Sequence, residues 1–166
     1  MKKNVLVFGI ISGLVISIFM SISMISMSKN PQADHGVNSM LIGYLSMLIA
    51  FSLIFVAVKT YRDKQKGGVI SFGNAFKMGL LIALIGSTIY VITWAFVYNL
   101  FLPDFMNQYA DAMIKNAKPE ELQKVTEQAQ QYKEMYKNPL YFTFFTYMEI
   151  LPVGLMGIEI GNVGKA

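Results

Sequence analysis

Long apolar runs separated by polar stretches organise this chain, with neither the period-two alternation of a half-buried strand nor the narrow stripe of a water-exposed helix. The runs cover residues 5–27, 40–58, 78–102 and 140–158. The first makes about 35 Å of helix at ~1.5 Å per residue, enough to cross a bilayer with some tilt. Each of the others is long enough to do the same. The pattern predicts an all-α integral membrane protein: a four-helix bundle in a single domain, residues 1–166, with a helical extracytoplasmic hairpin, 103–139, between the third and fourth spans. A cleaved secretory leader is the competing reading of the first run. Its apolar core exceeds the ~7 to 15 residues of such leaders and no Ala-x-Ala follows, so a retained span is the expectation.

The polar insert has its own periodicity. Pro103-Asp104 ends the third span, and Phe105, Tyr109 and Ala112 recur at helical spacing until Lys118-Pro119 interrupts them. A second helix starts at Pro119, with Glu120 and Glu121 in its first turn, where negative charge suits the helix dipole. Its apolar positions Leu122, Val125, Ala129, Tyr132 and Tyr136 alternate in steps of three and four, two heptads of a coiled-coil seam. The stripe can pack on the neighbouring helix or membrane surface, or it can face a protein partner. Asn138-Pro139 stops this helix and supplies a cap and first position for the fourth span.

Composition agrees with a lipid environment. The chain is 54% hydrophobic and 14% charged, with a mean hydropathy of +0.46, whereas soluble domains carry roughly 25% charged residues. The net charge of +4 is not a nucleic-acid footprint, because the basic residues sit at span ends and lack interleaved aromatics. Lys59, Arg62, Lys64 and Lys66, with Asp63 among them, form the strongest cluster, closed by Gly67-Gly68. With Lys2, Lys3, Lys77 and Lys165 at the same side, the positive-inside rule places both termini and the second loop in the cytoplasm. The third loop carries lysines too, but it is long and mixed with acids, so the other loops decide. Trp94, Tyr98, Phe101, Tyr141, Phe142, Phe144 and Phe145 then fall at the outer interface, as an aromatic belt would.

Small residues recur every fourth position in two spans: Gly9, Gly13, Ser17 and Ser21 in the first, and Ala75, Gly79, Ala83 and Ser87 in the third. Such stripes let helix backbones approach closely, which matters in lipid because apolar burial gives helices little reason to associate. Packing of the two stripes on each other is expected. Self-association through Gly9-x-x-x-Gly13 is the alternative.

The candidate for chemistry is Glu149, a lone carboxylate within the fourth run. A charge at that depth costs a few kcal/mol on insertion scales, so it needs a partner, a water-lined cavity or a proton. Counted by depth, Ser17, Ser46 and Tyr90 lie at similar levels, whereas Lys77 is roughly 18 Å lower. Pro152 removes a helix hydrogen bond, and the carbonyl freed near Met148 can line a polar pocket. Glu149 reads as a proton- or cation-linked group or as a structural hydrogen-bonding one.

No enzyme signature is present: no Gly-x-Ser-x-Gly elbow, phosphate-binding loop, His-Glu-x-x-His or Gly-x-Gly-x-x-Gly. Cysteine is absent and His35 is the single histidine, so thiol chemistry and histidine clusters are excluded. Met20, Met24 and Met27 share a helical face and invite a copper reading, but methionine is also a routine core filler. The expectation is no catalytic residue, metal or cofactor. The bilayer is the expected environment, with a protein partner or self-association beside it.

The segment Ile70-Ser71-Phe72-Gly73-Asn74-Ala75-Phe76-Lys77-Met78-Gly79, with Asn138-Pro139 and Glu149-Ile150-Leu151-Pro152-Val153-Gly154, resembles the bacterial membrane-protein family known as domain of unknown function 4199. The similarity runs from the first span to Gly154. It implies four spans, a helical extracytoplasmic loop and an inner membrane of Bacteroides-type bacteria, and no activity. The chain departs from that pattern after Gly154, where Gly157, Glu159, Gly161, Asn162 and Gly164 interrupt the last apolar run. A non-enzymatic structural or interaction protein is the leading expectation. A small transporter or channel component using Glu149 is the alternative.

Overall fold

The computed structural model describes the backbone of residues 1–29 and 37–162, and the side chains of residues 1–26, 41 and 43–153. Within these the chain is all-helical, without a strand. Its elements are α1 (Lys2–Lys29), α2 (Val37–Gln65), α3 (Phe72–Phe101), α4 (Phe105–Lys115), a 3₁₀ turn (Pro119–Glu121), α5 (Leu122–Lys137) and α6 (Pro139–Asn162). His35 and Lys165 lie outside the described residues, as do the side chains of Met27, Lys29 and the positions after Gly154 on which the expected departure rests.

Helix α2 runs past its apolar segment by two polar turns. Lys, Arg and Gln are good helix formers, so it continues until Gly67 (φ 62°) and Gly68 (φ 92°) turn the chain. The Gly68 N–H donates back to the Arg62 carbonyl at 3.0 Å. Extended Ser71 precedes α3 (φ −71°, ψ 148°). At the start of α6, the Asn138 side chain accepts from the Leu140 N–H at 2.9 Å, the cap its position suggests.

Among the described residues three helices are long and apolar enough to cross a membrane, over Lys2–Ser26, Gly43–Gln65 and Phe72–Phe101. Only 33 to 44% of their most apolar windows is buried in the protein. What they leave outside is mostly hydrocarbon: Leu6, Ile10, Leu14, Ile18 and Ile22 of α1 are 44 to 65% exposed. Exposed apolar area on this scale marks a membrane surface.

Helix α1 packs chiefly on α3 and also on α2, and α6 packs on both α2 and α3. One core lies between them, centred on Ile16, Phe51, Ile54, Met78, Ile82 and Ile150, each at most 1% exposed. Met20 is part of this core and Met24 packs against it.

The tightest approach is α1 on α3. A Cβ on Gly9 would lie 2.9 Å from the Ile85 side chain, and one on Gly13 would lie 2.8 Å from Ile89 and 3.1 Å from the Gly86 backbone. Gly9-x-x-x-Gly13 is therefore used within the chain. The face it meets is Ile85, Gly86 and Ile89, not the expected stripe of Ala75, Gly79, Ala83 and Ser87, all four of which are nevertheless buried.

The hairpin of α4 and α5 closes through Met106, Ala110 and Ala129. It is fastened to the spans by an aromatic cluster from four helices. Trp94 stacks on Phe142 with centroids 6.5 Å apart and meets Phe105 edge-on at 5.4 Å. Tyr98 contacts Phe105, Tyr136 and Phe142 at 6.4, 5.9 and 5.4 Å. This corrects the expected belt. Trp94 and Phe142 are 6% and 7% exposed and act as core, because the hairpin folds over them; Phe101, Tyr141 and Phe144 remain on the outside.

On α5 the structure takes the packing alternative for most of the stripe. Ala129 is buried and Tyr136 is built into the aromatic cluster, with Val125 half-buried, so most of the stripe is spent inside the chain. Leu122 and Tyr132 stay exposed, beside Tyr109 of α4.

A polar layer around Glu149

Two contacts fix the register of α3 against α6. The Thr88 hydroxyl donates to the Leu84 carbonyl at 2.7 Å and lies 2.7 Å from the Tyr147 hydroxyl. Thr88 has only one hydroxyl proton, so Tyr147 is the donor between them. One and a half turns further out, Trp94 stacks on Phe142. Counting along α6 from Tyr147, Glu149 comes level with Gly86 and Ser87, one turn below Tyr90.

Side-chain direction narrows that turn. A helical Cα–Cβ bond tilts toward the N-terminus of its own helix. The two helices are antiparallel, so Tyr90 leans toward the level of Ser87 while Glu149 leans toward the level of Tyr90. The two groups approach one level along the axis, while about 200° of helix rotation separates Glu149 from Tyr147.

Helix α1 reaches the same level. Gly13 abuts Gly86, which places Ser12 beside the layer and Ser17 a turn above it. The hydroxyls of Ser12, Ser17 and Ser87 are buried and have no hydrogen-bond partner among the described residues. Leaving a buried hydroxyl unpaired costs about 1 to 3 kcal/mol. Ser12 and Ser87 bear that cost at this level, and Ser17 a turn above it.

The other candidates differ in what they are free to do. The Ser46 hydroxyl is committed to the Gly43 carbonyl at 2.6 Å. Tyr90 is 6% exposed yet makes no hydrogen bond with a described residue. Glu149 likewise has no hydrogen bond or ion pair among the described residues, and it is exposed on α6, as is Pro152. Its side of the helix flanks the buried face of Phe142, Thr146, Ile150 and Val153, so it borders the core without being sealed in it. Inside α6, Pro152 has no N–H to give to the Met148 carbonyl.

The Glu149 charge reaches past α3. It acts on Tyr90 and on two phenols of the hairpin, Tyr109 and Tyr136. Burial first, and the Glu149 charge second, push the Tyr136 phenol up to about 12. Tyr109 is also raised, by burial first, then by Tyr132 and Glu149. Both phenols therefore stay protonated across physiological pH and remain donors.

Some of this was hidden from a linear reading. Ser12 lies outside the every-fourth-residue stripe, and the hydroxyls of Thr88 and Tyr147 look incidental until the two helices are set side by side. The hairpin phenols carry no signal of their relation to Glu149, because only the fold over the span ends brings them near it. The surface clefts of the hairpin, such as that lined by Tyr98, Met106, Asn107 and Lys133, belong to a separate region.

No curated protein and no solved structure matches this chain. A family model does, that of the family described as Protein of unknown function (DUF4199), over residues 7–159. The match takes in the first apolar run from residue 7 on, the other three runs, the hairpin and Glu149, and the chain belongs to that family.

Proposed function

We propose that this chain is a non-enzymatic integral membrane protein of the bacterial inner membrane, a four-helix bundle of α1, α2, α3 and α6 with both termini cytoplasmic, holding the α4–α5 hairpin outside for a protein partner. One observation carries the reading: aromatic rings fasten the hairpin to the span ends, while Tyr109, Leu122 and Tyr132 remain exposed on it. A docked hairpin pre-pays the ordering cost of binding. The resemblance to inner-membrane proteins supports the location, and the basic cluster from Lys59 to Lys66 supports the orientation.

A photoprobe at Gln128 in living cells tests the function. Trapping one specific protein, lost on Tyr132→Ala, is the expected result; adducts with lipid and self alone would overturn it. The absence of cysteine makes the topology testable as well. Gln128→Cys is expected to react with an impermeant maleimide from outside, and Lys64→Cys only after permeabilisation.

A second reading, a small transporter or channel component using Glu149, draws support from the unpartnered hydroxyls at its level. It predicts pH-dependent flux in proteoliposomes that Glu149→Gln abolishes with folding intact. Equal flux in the variant would sink it.

A further inference from the structure

The end of the molecule where α1 begins and α2 stops carries a lopsided charge. Residues 1–4 and 59–77 hold seven Lys and Arg against a single acid, Asp63, and Arg62 already engages that acid at 2.7 Å. At the opposite end, the stretch 103–139 mixes five lysines with six acids. A field of one sign therefore exists at one end only. The fold concentrates it further. The Met1 ammonium donates to Gln65 Oε1, and Gln65 Nε2 donates to Asn4 Oδ1, both at 3.4 Å. Lys2 and Lys3 lie between the two residues that Gln65 touches, and Lys64 and Lys66 flank Gln65 itself. All four are exposed, and none makes an ion pair or a side-chain hydrogen bond with a described residue. Four like charges gathered around one side chain repel one another unless an anion lies among them.

Depth places these lysines at a membrane surface. Gly9 meets Ile85 and Gly13 meets Ile89, so α1 and α3 run parallel and Lys2 stands level with Met78. Phe76 and Phe72 lie ~3 and ~9 Å beyond that level, exposed and stacked on each other with centroids 6.0 Å apart. The polar headgroup layer that adjoins the hydrocarbon is roughly 5 to 7 Å deep, and aromatic rings favour it.

We propose that Lys2, Lys3, Lys64 and Lys66 form a binding surface for the phosphodiester headgroup of an anionic phospholipid. A lipid fits this surface better than an acidic protein does, because the lysines stand at headgroup depth. Directly above them Leu6, Val7 and Ile10 of α1 are 53, 44 and 44% exposed, an apolar flank along which the acyl chains of the same lipid can lie. Basic residues clustered at the end of a span attract anionic headgroups, each adding to the affinity. In the orientation proposed above, this end faces the cytoplasmic leaflet. The inference rests on the contact between α1 and α2 and not on what the hairpin binds.

The full chain in a neutral detergent is titrated with phosphatidylglycerol and with phosphatidylcholine of equal chain length, counting retained lipids by native mass spectrometry and following Tm. A saturable preference for phosphatidylglycerol is expected, weakening as NaCl is raised. Each lysine replaced by Gln should lower the affinity about fivefold. Lys2→Gln, Lys3→Gln, Lys64→Gln and Lys66→Gln together should therefore erase the preference with helicity unchanged. Lys64→Arg with Lys66→Arg, which keeps the charge, should retain it, as should the hairpin control Lys124→Gln. The proposal is overturned by equal retention of the two lipids, by a preference that survives in the folded quadruple variant, or by its loss in the arginine pair or in Lys124→Gln. A Tm rise that inorganic phosphate reproduces would overturn it as well, marking a site for free anions. Because no protein partner enters the measurement, failure here leaves the photoprobe test to be decided separately.

Discussion

The two faces of α3 solve the same packing problem in opposite ways. Against α1 it offers Ile85, Gly86 and Ile89 to Gly9 and Gly13, and the backbones come so close that no side chain larger than hydrogen fits. Against α6 it offers Thr88 and Trp94, a hydroxyl and a ring that meet Tyr147 and Phe142. In lipid, helices gain little from burying apolar surface on each other, so close van der Waals contact and interhelical hydrogen bonds must hold them. The first face uses contact; the second uses polar and aromatic groups. The α1 side is thus held by backbone proximity and the α6 side by a hydrogen bond and stacked rings.

The contrast breaks most severely at the rings. Trp94→Ala removes the contacts that join α3, α4 and α6 and is expected to cost about 3 to 5 kcal/mol, read as lost resistance to thermal unfolding together with proteolysis of the hairpin. A smaller deficit with the hairpin still protected would show that the aromatic cluster is not what docks it.

Gly13→Val tests the opposite face. The added carbons would meet Ile89 and the Gly86 backbone, and the backbone cannot give way as a flexible side chain can. Overpacking of this kind costs about 1 to 3 kcal/mol. Gly73, with nothing within 4 Å of a Cβ, is the control: Gly73→Ala should leave Tm unchanged or slightly raised.

The hairpin has a pH signature. The Tyr136 phenol is raised from 10.0 to about 12 in the folded chain, so its stabilising contribution is fully present below pH 10 and is lost as pH rises through 12. A loss of roughly 2 kcal/mol in hairpin docking is expected across that window, and Tyr136→Phe should flatten it. Hydrogen exchange in α5 between pH 9 and 12 would distinguish the two.

The smallest effect belongs to the Thr88–Tyr147 bond. Interhelical hydrogen bonds in membranes average about 0.6 kcal/mol, and a double-mutant cycle with Thr88→Val and Tyr147→Phe should return a coupling of that order. A coupling near zero would leave the register of α3 on α6 to the rings alone.

How much of this was legible beforehand depends on the range of the interaction. The four apolar runs, the break at Lys118-Pro119, the cap at Asn138 and the turn at Gly67-Gly68 are local, and the chain announces them. The family resemblance, carried by Ser71-Phe72-Gly73 and by Glu149-x-x-Pro152-x-Gly154, held over residues 7–159. The aromatic residues misled for a physical reason: Trp94 and Phe142 lie at span ends, where a belt would be, and only the hairpin folding over them turns a surface into a core. The α5 seam left packing and a partner both open, because a stripe at heptad spacing does not state what it packs against.

For the candidate site, the sequence singled out Glu149 and Pro152 because a carboxylate and a proline are conspicuous in an apolar run, whatever surrounds them. It could count depth to within a turn and so excluded Lys77 as an ion-pair partner. Rotation about the helix axis, which decides whether Glu149 meets Tyr90 or lipid, was beyond it. That angle is set by the fit of many side chains on α2, α3 and α6, a property of the packed helices and not of any segment. The sequence by itself determined the helices, their lengths, their lipid-compatible surfaces and one charge at depth. Only the tertiary structure decided that Gly9 and Gly13 are spent on α3 and that the hairpin is closed over Trp94, because each is a contact between residues far apart in the chain.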